Sequence, residues 1–162
     1  MQFRDNLKLI GSDANWQSLL MDARFYLRPS KKSRNVLAFW AYCNLTLSGT
    51  PPYFDLPASG MDTYDNTCRS YVEARYRGLN MIDAEAEYRF GLLKNGLLGG
   101  VVFFNASTFS EWPDNRLERI NPAAGLGLRI KMNKKSKTNL CVDYGFGVEG
   151  SRGFAFNLNE VF

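Results

Sequence analysis

Apolar and polar side chains alternate with a period of two along most of this chain. In residues 81–90, Ile82, Ala84, Ala86, Tyr88 and Phe90 share one phase, and Asp83, Glu85, Glu87 and Arg89 share the other. A helix would scatter those charges around its circumference, whereas a strand places them all on one face. The pattern recurs in 125–132, where Leu126, Leu128, Ile130 and Met132 oppose Gly125, Gly127, Arg129 and Lys131. In 140–148, Leu140, Val142, Tyr144, Phe146 and Val148 oppose Cys141, Asp143, Gly145 and Gly147. Residues 19–28 alternate in the same way, with Asp22, Arg24 and Arg28 on the polar phase. Residues 36–47 are apolar on both phases, 99–109 are ambiguous in phase, and 3–10 form a weaker candidate. The last segment, 154–162, sets Phe154, Phe156, Leu158 and Phe162 on one side, with Glu160 the exception, and predicts a strand running to the final residue.

Eight strands of about nine to twelve residues follow, each long enough to cross a bilayer at a tilt. The connections alternate in length. Residues 29–35, 93–96 and 133–137 are short and mostly Lys-rich, whereas 11–17, 48–80 and 110–123 are longer. Only 149–153 breaks that rule. Short turns on one side and long loops on the other are the habit of outer-membrane barrels. The expected fold is therefore all-β: an antiparallel up-and-down transmembrane β-barrel of about eight strands, one domain over 1–162 with a long external loop at 48–80. Arginine on a lipid-facing surface costs about 2–4 kcal/mol at the midplane, so the phase carrying Arg24, Arg89 and Arg129 is expected to line an interior.

Composition agrees with this picture without deciding it. Hydrophobic residues make up 45% of the 162 and aromatics 14%, with mean hydropathy −0.29. No apolar run reaches the length of a transmembrane helix, but barrel strands carry a weaker signal per segment. The net charge of +4 is spread over separate short turns rather than gathered on one face, which argues against nucleic acid as a partner. There is no histidine, and the three cysteines, Cys43, Cys68 and Cys141, stand far apart. No metal-ligand spacing, nucleophile motif or phosphate-binding glycine loop is present, so no catalytic residue, metal or cofactor is expected. Residues 1–20 carry no signal-peptide pattern, and the chain is expected to be a fragment lacking N-terminal strands and periplasmic domains.

The loop 48–80 is dense in aromatics and arginines, including Pro51, Pro52, Tyr53, Phe54, Leu56, Pro57 and the run Cys68, Arg69, Ser70, Tyr71. Loops of this length in a chain of tight turns are usually functional or disordered. From Leu56 through Gly78, the strand Ala84 to Phe90, the segment Asn121 to Ile130 and the ending Asn157 to Phe162, the chain resembles the C-terminal part of the outer-membrane protein assembly factors. These are also called bacterial surface antigen (BamA/TamA-like) proteins, and the likeness is to the Bacteroidetes type. The resemblance covers essentially the whole chain and implies the last eight strands of a sixteen-stranded barrel. In that family a loop motif of arginine, glycine and an aromatic folds back into the lumen. Arg69 and Tyr71 match it, and Ser70 stands in place of the glycine. The resemblance implies that Arg69 enters the lumen, with Glu85, Glu87 and Asp143 as possible partners. It also implies that Phe154, Phe156, Leu158 and Phe162 form a C-terminal strand signal read during assembly.

What the resemblance implies for function is insertion or translocation of proteins at the bacterial outer membrane, without catalysis. The expected partners are outer-membrane lipid, other assembly components and nascent barrel proteins. Two alternatives stand beside it: a barrel anchoring an upstream hydrolase domain, and a small soluble ligand-binding β-barrel with its apolar face turned inward.

Overall fold

The computed structural model describes residues 1–30, 33–63, 65–111, 115–132 and 138–162. The Lys-rich turn expected at 133–137 lies outside them, as do parts of the connections 29–35 and 110–123.

The eight strands are β1 (Gln2–Asn6), β2 (Trp16–Leu27), β3 (Val36–Gly49), β4 (Asn80–Gly91), β5 (Leu98–Phe109), β6 (Ile120–Lys131), β7 (Asn139–Gly147) and β8 (Arg152–Leu158). They form one antiparallel sheet in sequence order, each strand hydrogen-bonded to the next. β1 pairs with β2 alone and β8 with β7 alone, so the sheet is open at both edges. Among the described residues the elements besides strands are two single-turn 3₁₀ segments, Lys8–Ile10 and Tyr53–Asp55.

The two faces differ as the alternation requires. On one, here called the outer face, Tyr88, Val102, Phe104, Leu126, Leu128, Phe146, Phe154 and Phe156 are exposed. On the other, Asp83, Glu85, Glu87, Asn105, Ser107, Arg129 and Asp143 are buried. The covering comes from the loop between β3 and β4 and from the tail after β8, which pack Cys68, Tyr71, Val161 and Phe162 onto Ala38, Trp40, Tyr42, Met81, Phe109 and Ala123. The doubly apolar β3 is explained by this arrangement. Phe39 and Ala41 face out, and Trp40 and Tyr42 supply inner-face hydrophobic surface. The ambiguous β5 resolves with Val101, Phe103, Asn105, Ser107 and Phe109 inward.

Three boundaries differ most from the alternation. β1 stops at Asn6, because Leu7 to Gly11 close a 3₁₀ turn ending in left-handed Gly11 (φ 97°). β6 starts at Ile120, well before residue 125, and includes Pro122. Pro122 pairs with Ala106 of β5, while the β6–β7 ladder begins only at Ala123, so the proline sits where one side of the strand is free. The expected strand through Phe162 ends instead at Leu158. Asn159 turns left-handed (φ 75°), and the tail dives beneath the inner face. Glu160 is the cause: in strand phase it would join the apolar outer face, whereas the turn delivers it to Arg129, 2.9 Å away.

The tail also reports the sheet's shape. Phe162 stacks on Trp40 of β3 with ring centroids 5.3 Å apart. In a flat sheet β3 and β8 would lie about 24 Å apart, and four extended residues reach only about 14 Å. Trp40 also lies several residues farther along the strand direction than Leu158. The sheet therefore curls around its covered face.

Glycines on the inner phase of β6 and β7 make room for what fills it. A Cβ on Gly125 would run into the Phe103 ring and the Tyr144 carbonyl. Gly125→Ala is expected to destabilise the chain by about 1–3 kcal/mol, as overpacking does; a lowered denaturant midpoint with an unchanged slope is the measurement that checks it.

Candidate functional site

The loop between β3 and β4 is a folded element. Its stalk closes through an antiparallel bridge between Ala58 and Arg77 and a hydrogen bond from Gly78 N to Pro57 O at 3.2 Å. Ser59 ties the two legs further, donating its N–H to Tyr76 O at 2.9 Å and accepting from Ala74 N at 2.7 Å. Farther up, Asp62 Oδ1 accepts the N–H groups of Asn66 and Thr67, each at 2.8 Å. This local turn aims the following residues at the sheet. Cys68 takes a left-handed conformation (φ 58°), and Tyr71 N bonds Cys68 O at 2.9 Å. The tight turn places Arg69 at its apex.

Arg69 meets β4 and β7 at once. Its Nη2 lies 2.6 Å from Glu87 Oε2 and also contacts Glu85 Oε1, while Nη1 lies 2.7 Å from Asp143 Oδ2. The guanidinium rests over the Phe103 ring at 4.0 Å. Arg69, Glu85, Glu87 and Asp143 have side chains no more than 2% exposed. Burial alone would lower the pKa of Arg69, but Glu85, Glu87 and Asp143 outweigh it and raise it. The loop arginine is therefore a permanent cation, held at low dielectric by several charge-assisted bonds.

The network extends beyond Arg69. Arg129 bonds both Asp143 oxygens and lies 3.5 Å from Glu87 Oε1. Arg89 holds Glu87 Oε1 at 2.7 Å and donates to the Phe162 backbone carbonyl at 2.8 Å. Three arginines thus interlock with Glu85, Glu87, Asp143 and Glu160. Gly127, paired with Asp143 across the ladder, has no Cβ where the carboxylate sits.

Neighbouring residues seat the turn. Ser70 occupies the motif position where glycine was expected, and its backbone is not left-handed; that conformation falls on Cys68. The space Ser70 needs comes from the opposite wall, because a Cβ on Gly145 would collide with the Ser70 side chain. Ser70 O accepts from Ser151 Oγ at 3.0 Å. Tyr71 lays its ring against Gly147, donates its hydroxyl to Pro122 O at 2.7 Å and accepts from Val148 N at 3.2 Å. The Cys68 thiol lies 3.6 Å from Asp83 Oδ1.

Of the terminal residues singled out in the sequence, Phe154, Phe156 and Leu158 project outward, and Phe162 does not join them. Its ring is inside, between Trp40 and the Arg89 guanidinium. Sequence reasoning missed this tail contact and also missed the arginine pair 89 and 129 as its receptor. The misplaced Glu160 in an otherwise apolar phase was the available signal. Also missed was a clasp on the long-loop side, where Glu149 bonds Arg119 and, at 3.0 Å, Arg75. It links the β3–β4 loop, the β5–β6 connection and the β7–β8 turn.

Among the described residues no three His, Cys, Asp or Glu side chains gather as metal ligands, and the three cysteines are free. No family model, curated protein or solved structure matches the chain.

Two outcomes are expected. Arg69→Ala leaves buried Glu85 without a cation and takes one partner each from Glu87 and Asp143, which keep Arg89 and Arg129, and breaking a buried pair in this way costs about 3–5 kcal/mol. Protease cleavage within 60–73 should rise sharply in this variant, and Arg69→Lys should fall between it and the parent. The clasp depends on pH with a defined sign. Hydrogen bonds from Arg119 and then Arg75 hold the Glu149 carboxyl below the ordinary carboxylate range. A depressed carboxylate stabilises fully above its unfolded value and loses that contribution as pH falls through the folded one. Amide protection factors around Arg75 and Arg119, measured against the intrinsic exchange rate at each pH, should fall as pH drops below the ordinary carboxylate value of about 4.5, and Glu149→Gln should remove that pH dependence of protection.

Proposed function

We propose that this sheet is part of the wall of an outer-membrane β-barrel of the assembly-factor type, which inserts or translocates proteins at that membrane. The observation that carries the reading is the inverted distribution of side chains. Rows of apolar side chains face outward across the sheet, with Asp5 and Arg152 near its ends, while arginines and carboxylates are packed together inside. A soluble barrel that binds an apolar ligand needs the opposite arrangement. In a bilayer the arrangement is favourable, because lipid receives the apolar rows and the ionic network stays away from it.

The open edges are part of the proposal. Backbone groups on β1 and β8 cannot remain unpaired in hydrocarbon, so the wall is completed by strands outside this sheet. Such an edge can template an incoming strand, which gives insertion a physical route without any covalent chemistry. The loop anchored by Arg69 fills the interior and holds β4, β6 and β7 in fixed relation while the edge exchanges partners.

Two measurements test this. Leu126→Arg, on the outer face at mid-strand, should destabilise the bilayer-inserted protein by about 2–4 kcal/mol and reduce the heat-modifiable form on a gel. Equal stability of both proteins in lipid and without detergent would refute the membrane placement. A photo-crosslinker at Ala155 in β8 should capture nascent barrel polypeptides in membranes active in assembly. Insertion into the membrane without any such adducts would favour the anchoring alternative.

A further inference from the structure

At the end of the sheet bearing the short connections, the inner face opens into a cavity of about 590 Å³. Among the described residues its charged lining is Arg34, Arg89, Arg129 and Lys131 against a single acid, Glu160. The deeper pair is compensated: Arg89 and Arg129 lie against Glu87, Asp143 and Glu160. The outer pair is not. Neither Arg34 nor Lys131 forms an ion pair among the described residues. Arg34 is nonetheless positioned, with Nη1 3.4 Å from Lys94 O in the clearance above Gly96, where a Cβ would come within 2.8 Å of it.

Glu160 shows what the deep end of this cavity binds. Its carboxylate takes a bond from Arg129 Nε at 2.9 Å, another from Asn139 Nδ2 at 2.7 Å, and lies 3.6 Å from Arg89 Nε. Two guanidiniums and an amide converge on one carboxylate, and that carboxylate comes from a strand-breaking tail rather than from the sheet. The remaining lining includes Val36, Leu93 and Leu98 beside Gly99 and Gly100, a surface suited to extended backbone with aliphatic neighbours. A free inorganic anion has no use for it.

We propose that this cavity receives an acidic segment of a partner polypeptide, one of whose carboxylates displaces Glu160 from between Arg89 and Arg129. Arg34 and Lys131 draw the segment in at the mouth, since complementary rim charges act chiefly on encounter and register. Displacement of Glu160 removes one hold on the tail beyond Asn159, while Phe162 on Trp40 and Val161 O on Asn66 keep it seated. The site lies on the inner face and stands whether or not the outer face meets lipid, so failure of the membrane reading leaves it intact.

The test is calorimetric titration of the detergent-solubilised 162-residue chain with a glutamate-rich hexapeptide, its glutamine counterpart and inorganic phosphate. The glutamate peptide should bind and the glutamine peptide should not. Arg34→Gln and Lys131→Gln, both at exposed or half-exposed positions, should each weaken binding about two- to fivefold, the range for solvated charge pairs. Glu160→Gln should strengthen it, because the competing carboxylate is gone, and the unfolding midpoint of each variant shows that the fold persists. Equal binding of both peptides overturns the proposal. So does phosphate matching the glutamate peptide, which would leave an anion site only, and so does an affinity unchanged by Glu160→Gln.

Discussion

Compensation of buried charge is the constraint on which the rest of this structure depends. An arginine taken out of water must find carboxylates, or the fold pays several kcal/mol for it. Arg69 arrives from a loop and finds Glu85, Glu87 and Asp143 on two separate strands. Glu85 has no other cation, whereas Glu87 and Asp143 also pair with the sheet's own Arg89 and Arg129. Loop and sheet therefore meet at Arg69, where each supplies the charge that the other needs. The specificity of this dependence exceeds its net energy: an apolar plug could fill the same space but would not fix which strand faces which residue.

The same constraint explains where the hydrophobic surface lies. With the ionic cluster occupying the inner face, the inner apolar core is confined to its flank, where Trp40, Tyr42, Met81, Phe109 and Phe162 pack around Tyr71 and Cys68. The remaining apolar side chains form the outer rows. They are exposed because the loop and tail cover one face only, and their alternation with charges prevents the strand from burying both phases. The inner-phase glycines follow from the same crowding. Gly127 yields to Asp143, Gly145 to Ser70 and Gly147 to Tyr71, so the wall is thinned where the loop presses on it.

Much of the architecture was legible in the sequence because it rests on a period of two. The segments around Ile82, Leu128 and Val142 had to be strands, since no other element separates Asp83, Glu85 and Glu87 from Ala84 and Ala86. The acids near Arg69 could be named because they were the carboxylates on the polar phases, and charge pairing leaves few choices. The boundaries were less legible. Nothing in the alternation around 120–124 marks Pro122 as a strand residue, because its tolerance depends on how far β7 reaches. The end of β8 was misread because period alone counted Phe162 as one more apolar residue. The decisive residue was Glu160, whose cost on an apolar face could be weighed only once Arg129 and Arg89 were known to lie beneath it.

That turn at Asn159 joins two features that the sequence presents separately. The last ladder contact of β8 with β7 runs from Asn159 N to Asn139 O at 2.7 Å. The next residue is already committed to the arginines inside. Asn66 of the loop donates to Val161 O at 2.6 Å and also contacts Asn157, so the loop grips the same tail that Arg89 holds. The length of β8 at the open edge is thus set by polar contacts on the covered face rather than by the ladder itself. A change in those contacts acts on the edge without touching it. A buried ionic network and the free edge of β8, far apart in the chain, are in this way coupled through the tail.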